Sequence, residues 1–407
     1  MKIMYFSQFY TPESIAPSFR ATDNSKLWVK AGNEVTVFTG YPNYPTGKIF
    51  DGYEPKLLEA ESIEGVRVLR SKLVAVPNTS TFRRLENALS FFFFGFVNVF
   101  FNQKKIGREH DVVLGTSGVI FTALLGWIFS AIHRIPFVFE IRDITYVQLQ
   151  ATGRSANSLA VRGMKALELF LCKRARKVVV VTNGFKKTLI ADGIPAEKIE
   201  IITNGVDVNE TKITASQNKL VLSYFGTLGL SQNISDTFQY ADTISRCSNE
   251  FEYLIIGEGA QKDNLKKKVE QSKFSFVKML PGMPADDLEP YYRTTQWSVI
   301  TLRKSDNFKY TIPSKLFQVM GRGIAVLFIG PDGETAEIIR TYNAGLALTG
   351  TIEEDNAELE KFFAKPDWQD ELSAMGQRGR AAVLENYSRK KLAMKYIDIM
   401  NGVKNNG

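Results

Sequence analysis

The stretch Thr311-Ile312-Pro313-Ser314-Lys315-Leu316-Phe317-Gln318-Val319-Met320-Gly321-Arg322-Gly323 holds the residue types that bind phosphate. It reads as a loop, a short helix and a glycine stop, with Pro313 in the first helical turn, where its missing N–H is no loss. Ser314 and Lys315 then sit where free backbone N–H groups meet the positive end of a helix, and a phosphate fits there. A capped helix in an ordinary α/β unit has the same outline, so both readings stay open on this stretch alone. Other residues at strand ends have similar potential. Gly226 follows Tyr224-Phe225, and Gly257-Glu258-Gly259 follows an apolar run, where glycine lets backbone approach a ligand closely. Arg303 and Lys304 follow another such run, as phosphate cations or as solvated loop charges. Glu334 opens a helix after Gly330-Pro331-Asp332-Gly333, where it accepts from ligand hydroxyls or merely answers the helix dipole. Near the front, Glu13 and Arg20 form either a site or a plain ion pair. Asp143, after Glu140-Ile141-Arg142, either orients a substrate or caps a helix.

Positioning these residues takes two sheets. Ile3 to Phe9, Glu34 to Thr39, Val66 to Leu69, Asp111 to Gly115, Phe137 to Ile141 and Lys177 to Val181 read as strands. Their near-continuous β-branched and aromatic content suits a parallel sheet covered on both faces. Arg20 to Lys30, Arg83 to Phe101, Ser117 to Ile132, Asn157 to Arg174 and Gly184 to Ala191 read as the intervening helices. The second half repeats the pattern with strands Leu220 to Phe225, Glu252 to Ile256, Phe274 to Met279, Ser298 to Leu302, Ala325 to Ile329 and Gly345 to Leu348. The fold class is therefore α/β, with two doubly wound Rossmann-like domains, 1–204 and 205–387, and ligands at the carboxyl ends of strands. Asn209 to Asn218 reads as the linker, and the tail from Trp368 to Lys404 as helical. A chain of 407 residues suits two domains. Cys172 and Cys247 match no disulfide framework and no metal spacing, so no metal site is expected. The N-terminus lacks the apolar core of a signal peptide.

The motifs also carry a resemblance. Pro313-Ser314-Lys315-Leu316-Phe317, Met320 and Gly323, then a strand and Gly333-Glu334, resemble the nucleotide-sugar site of the retaining glycosyltransferases of family 4. Met1 to Glu13 with Arg20, Glu140 to Asp143, Thr203 to Asp207, Tyr224 to Gly229 and Ile255 to Gly259 agree with that family in order. The resemblance implies a GT-B fold with the two domains facing a cleft. It also implies a last helix, 388–407, that crosses back to the first domain. It implies a UDP-sugar donor, no required cofactor, retention at the anomeric carbon, and transfer of a hexosyl or N-acetylhexosaminyl group in O-antigen, capsule or exopolysaccharide assembly. Catalytic roles fall to Asp143, Lys315 and Glu13, and donor contacts to Ala16, Gly226, Gly257, Gly259, Arg303, Ser314, Lys315, Gln318 and Glu334. The chain departs from the family in three places. No arginine or lysine follows Gly226, which leaves Arg303 and Lys304 to substitute. Gln318 stands where many relatives place a ribose-binding carboxylate, and Tyr310 stands at the earlier member of the usual glutamate pair. A UDP-sugar 2-epimerase and an inactive GT-B scaffold are the rival readings.

Net charge is +8, which suits anionic partners. No zinc-finger spacing or aromatic-basic RNA motif is present, so nucleic acid is not expected. The segment 83–108 carries Phe91 to Phe94, Phe96, Phe100 and Phe101 between Arg83-Arg84 and Lys104, Lys105 and Arg108. It is too short to span a bilayer and reads as an interfacial helix on an anionic membrane. Ser117 to Ile132 is similarly apolar and reads as a buried core helix. The protein is thus expected in the cytoplasm, on the inner face of the membrane, acting on a polyprenyl diphosphate-linked saccharide.

Overall fold

The computed structural model describes residues 1–151, 155–208, 219–248, 250–272, 274–284 and 286–405. The linker expected at 209–218 lies outside them. Two compact units form. Met1–Thr203 with Leu392–Gly407 makes the first, and Asn204–Lys391 the second.

The first unit runs β1 (Lys2–Phe6), α1 (Ala16–Lys30), β2 (Glu34–Gly40), β3 (Leu58–Ile63), β4 (Val66–Ser71), α2 (Thr81–Phe101), α3 (Gln103–Ile106), β5 (Val112–Thr116), α4 (Ile120–His133), β6 (Phe137–Ile141), α5 (Thr145–Ala151), α6 (Leu159–Arg174), β7 (Lys177–Val180), α7 (Asn183–Ala191) and β8 (Ile199–Ile201). Its sheet has the order β3-β4-β2-β1-β5-β6-β7-β8. Pairing is parallel except between β3 and β4. Along β1, Ile3 and Tyr5 enter one buried cluster, while Met4 and Phe6 enter the other. Side chains alternate across a pleated strand, so an unbroken apolar run feeds two cores at once.

The second unit runs β9 (Leu220–Phe225), α8 (Thr237–Cys247), β10 (Phe251–Gly257), α9 (Lys262–Gln271), β11 (Val277–Pro281), α10 (Glu289–Thr294), β12 (Trp297–Thr301), α11 (Ser314–Gly321), β13 (Ala325–Ile329), α12 (Glu334–Tyr342), β14 (Gly345–Leu348), α13 (Ile352–Phe363) and α14 (Trp368–Ala382). After a π-helical turn at Val383–Tyr387 comes α15 (Arg389–Asn405), which from Leu392 onward belongs to the first unit. The sheet order β11-β10-β9-β12-β13-β14 is parallel throughout. This is the doubly wound order that reverses once, here between β9 and β12.

Several expected boundaries shift. β1 stops at Phe6 because the Ser7 hydroxyl donates to Phe9 O at 2.9 Å and the chain turns away. The strand expected from Phe274 begins at Val277. Pro313 is the N-cap of α11, so Ser314 is its first helical residue. β3 has no counterpart in the sequence reading. Its residues Leu-Glu-Ala-Glu-Ser-Ile are half polar, as an edge strand allows. It returns to β4 through Glu64 and Gly65, both at positive φ (48° and 81°), a hairpin turn without the usual Asn-Gly or Asp-Gly signal.

Candidate active site

The loops leaving β9 and β12 lie where the order of the second sheet reverses. Lys315, on the first turn of α11, reaches this place. Its Nζ sits 5.2 Å from the centre of the Tyr224 ring at the end of β9. Burial lowers the ammonium to a pKa of about 8. No carboxylate among the described residues pairs with it. Gly226 has a φ of 136°, and a Cβ there would fall 1.4 Å from Lys315 Nζ. Glycine is thus required twice, by its backbone angle and by the ammonium lying against it. The Tyr224 hydroxyl donates to Thr227 O at 2.7 Å, which fixes the ring beneath the cation. The result is a desolvated positive charge packed on Tyr224 and Gly226, on the first turn of a helix. An anion with several oxygens would complete it.

The remaining donor residues divide. Ser314 is exposed beside Lys315, and Gln318 lies one turn further along, half-buried. Gly257 and Gly259 lie where the β10 loop meets the β9 loop. A Cβ at Gly257 would strike Gly226 O at 1.8 Å, and one at Gly259 would strike Leu228 O at 2.5 Å. They let the β10 loop close on the β9 loop, with Gly226 N donating to Ile256 O and Leu228 N to Glu258 O, both at 2.8 Å. Arg303 steadies the same β9 loop, its backbone N–H donating to Ser231 O at 2.8 Å and its guanidinium to Leu230 O at 3.3 Å. Lys304 is not available as a second phosphate cation. Its ammonium pairs with the buried Asp355 at 2.6 Å and donates to Gly350 O at 2.6 Å. Glu334 is buried at the first turn of α12, and its backbone N–H donates to Lys309 O at 2.8 Å. Thr335 Oγ1 donates to Thr311 O at 2.8 Å. These two bonds seat the Lys309–Thr311 segment, which leads into the Lys315 turn. Tyr310 on that segment is exposed.

In the first unit the sheet order reverses between β1 and β5. Ala16, exposed, begins α1. Glu13 is fully buried, and its Oε1 accepts from the backbone N–H groups of Asn43 and Tyr44, each at 3.0 Å. Burial raises its carboxyl above the usual range against those bonds. Glu13 therefore clasps a loop, and the expected ion pair with Arg20 gives way to another. Arg20 Nε pairs with Glu140 Oε1 at 2.8 Å. Tyr5 and Tyr396 hydroxyls also donate to Glu140, at 3.2 and 2.6 Å. Burial pushes Glu140 up, but Arg20 and then Arg142 outweigh this and hold it low. Asp143 is exposed at the end of β6, with its carboxyl raised by desolvation and lowered in part by Arg142. Its side chain bonds to Gln148 on α5, while Glu168 on α6 meets the start of α5, its oxygens accepting from Thr145 N at 3.2 and 3.0 Å and from Thr145 Oγ1 at 3.1 Å. Sequence reasoning missed Glu168 and Arg70. Arg70, fully buried on β4, donates to Thr11 O at 2.7 Å and Gly40 O at 3.2 Å. A charge inside an apolar strand was the available signal for Arg70. Among the described residues no three His, Cys, Asp or Glu side chains gather as a metal site.

A glycosyl transferase 4-like domain matches residues 17–205. The WcaI glycosyl transferase of Escherichia coli K12, named for colanic acid biosynthesis, is 23% identical over 368 residues, which span 86% of this chain and 88% of that one. Sucrose-phosphate synthase from Thermosynechococcus elongatus superposes with a TM-score of 0.71 at 14% identity, covering 100% of both chains. Anabaena HepE, in a complex with UDP-glucose, superposes with a TM-score of 0.62 at 14% identity, covering 99% of this chain and 100% of its own. Two parallel-sheet α/β units with these neighbours define the GT-B fold. The match over residues 17–205 and the likeness to WcaI both support a family 4 glycosyltransferase.

Proposed function

We propose that this glycosyltransferase moves a hexosyl or N-acetylhexosaminyl group from a UDP-sugar to a polyprenyl diphosphate-linked saccharide, with retention, in assembly of a cell-surface polysaccharide. The observation that carries the reading is Lys315, a half-buried cation at a helix start with no counter-ion among the described residues. The bond between the anomeric carbon and the β-phosphate oxygen breaks, and UDP leaves with the electron pair. Lys315 stabilises the charge that grows on that oxygen, an effect strongest where water is excluded. An acceptor hydroxyl supplies the new oxygen and passes its proton to the departing diphosphate. Ser314 and the first amides of α11 add donors, Gln318 takes the ribose hydroxyls, and Asp143 orients a sugar. HepE, seen with UDP-glucose, supports the donor class, and the WcaI relative supports the polysaccharide setting. Among the described residues no helix is long and apolar enough to cross a membrane. The proposed location is the cytoplasmic face of the inner membrane, where such acceptors are held, with α2 facing the lipid.

The test is a screen of UDP-sugars with a polyprenyl diphosphate-linked acceptor, read by product mass and by the anomeric coupling in NMR. A new α-linkage from an α-configured donor supports the reading. Calorimetry with UDP distinguishes the rival, since an inactive scaffold that has lost the site shows no binding heat.

A further inference from the structure

The surface of α2 is inverted. Asn87, Ala88, Phe91, Asn98 and Val99 are buried, while Phe82, Leu85, Leu89, Phe93, Phe96 and Phe100 are exposed. Steps of three and four residues place the exposed set on one stripe. Phe82 and Phe93 are 73% and 61% open to solvent, and Phe101 beyond them 83%. Phe92 turns inward against Phe121, with ring centres 6.0 Å apart, so the outward stripe is narrower than the phenylalanine run itself. Within the stripe, Phe96 and Phe100 pack on each other at 4.6 Å. Isolated exposed phenylalanines are unremarkable, but a continuous row along a helix of 21 residues is not. Cations stand at both ends, Arg83 and Arg84 at the start and Lys104, Lys105 and Arg108 after it, with Lys72 Nζ 5.5 Å from the Phe94 ring. On the helix itself the acid is Glu86, which is paired with Arg83 at 2.9 Å.

The buried side of α2 connects to the site loops of the first unit. Asn87 accepts from Gln8 Nε2 at 2.6 Å and donates to Asn43 Oδ1 at 3.1 Å. The Asn43 backbone is in turn held by Glu13. The first half of α2 thus rests on the loop that follows β1, at the carboxyl end of the sheet.

From this geometry we infer that α2 lies in the plane of an anionic membrane, with Phe93, Phe96 and Phe100 among the acyl chains and Arg83, Arg84, Lys104, Lys105 and Arg108 on lipid phosphates. We infer further that this docking brings the Glu13–Asn43 loop to the headgroup level, where it receives a lipid-borne acceptor. The first part stands on the helix alone; the second rests on the lipid-linked acceptor proposed above. A purely apolar partner would not use the cations at either end, and a second copy of this chain would set like charges against each other. An anionic bilayer satisfies both features.

The experiment uses full-length protein and sucrose-loaded vesicles of phosphatidylcholine, with or without phosphatidylglycerol. Wild type is expected to sediment with the anionic vesicles only. Combined Phe93→Ser, Phe96→Ser and Phe100→Ser should weaken binding more than about tenfold, with the melting transition and UDP affinity unchanged. Arg83→Gln, Arg84→Gln, Lys104→Gln and Lys105→Gln should cost roughly fivefold per charge at low salt. With a lipid acceptor in vesicles, the serine variant should raise KM for acceptor and leave KM for donor alone. Wild type that ignores anionic vesicles overturns the inference. So does a wild-type dimer, seen by sedimentation velocity, that the serine variant dissociates. If vesicles bind but no lipid acceptor is used, the acceptor assignment fails and the membrane surface stands.

Discussion

If Lys315 holds the diphosphate, nucleotide binding must take up a proton. The free ammonium titrates at about 8, against 10.5 for an ordinary lysine, and burial is the cause. A bound diphosphate supplies the missing counter-charge and returns the pKa to the ordinary range or above. The sign follows from linkage. The complex binds more protons than free protein plus ligand at any pH between the two values, so affinity falls as pH rises through about 8. Taking the shift as fully reversed, the dissociation constant for UDP rises about fourfold between about pH 7 and about pH 8.5, with uptake near 0.75 proton at the upper end. That window stays below the titration of the uracil imide. The assay is isothermal calorimetry in buffers of different ionisation enthalpy, with observed heat plotted against buffer enthalpy at each pH. The slope is the number of protons taken up. Lys315→Met should bind more weakly at every pH, with slope near zero. A native slope near zero at about pH 8.5, with tight binding throughout, would refute a Lys315–phosphate contact.

Further expectations follow from the same geometry. Lys315→Ala should lower turnover roughly a hundredfold or more, as removal of one preorganised donor does; near-native turnover in the purified variant contradicts the assignment. Gly226→Ala should cut UDP affinity by more than about tenfold, because its Cβ displaces the Lys315 ammonium and its backbone angle is strained, and calorimetry reads this directly. Gln318→Glu should tighten UDP several-fold through charge-assisted bonds to hydroxyls, and unchanged affinity would place the ribose elsewhere. Glu168, raised to about 7 from 4.5 by burial, binds an extra proton in the folded state between those values, so its contribution to stability is lost as pH rises through about 7. Stability of Glu168→Gln relative to native protein should therefore increase with pH across that window, measured by urea unfolding.

The fold was legible because the strands have two buried faces. Strands such as Ala325–Ile329 feed one core with Ala325, Leu327 and Ile329 and the other with Val326 and Phe328, so the sequence is apolar without a gap. β3 was hidden for the opposite reason, since an edge strand tolerates polar alternation. The Lys315 turn was legible from proline, serine and lysine in order. What the glycines touch was not. Gly226, Gly257 and Gly259 all marked close approach in the sequence, but only coordinates distinguish approach to a ligand from approach of one loop to the next. Glu13 and Arg20 illustrate the same limit. Their spacing permitted a mutual ion pair, whereas the partners they take come from Asn43, Tyr44, Glu140 and Tyr396, which local spacing cannot reveal.

Long-range pairing also separates Lys315 from other cations packed against the fold. Arg20 answers Glu140, Arg70 answers Glu61, and Lys304 answers Asp355. Each arrangement compensates desolvation within the fold, as buried ions require. Arg142 lies in the field of Glu140, which offsets part of its burial. Among the described residues Lys315 meets the face of Tyr224 and the backbone at Gly226, and no carboxylate. An aromatic face offers less than a carboxylate does, so the ammonium remains under strain, as its lowered pKa records. A stability requirement alone would favour methionine there, which keeps the packing and removes the desolvated charge. Lys315→Met should therefore unfold at higher urea than the native protein at about pH 7, where the lysine is charged, and the gain should shrink as pH rises past about 8. A variant that is less stable at neutral pH would mean that Lys315 has a counter-charge in the free protein, and the case for a waiting phosphate site would fall with it.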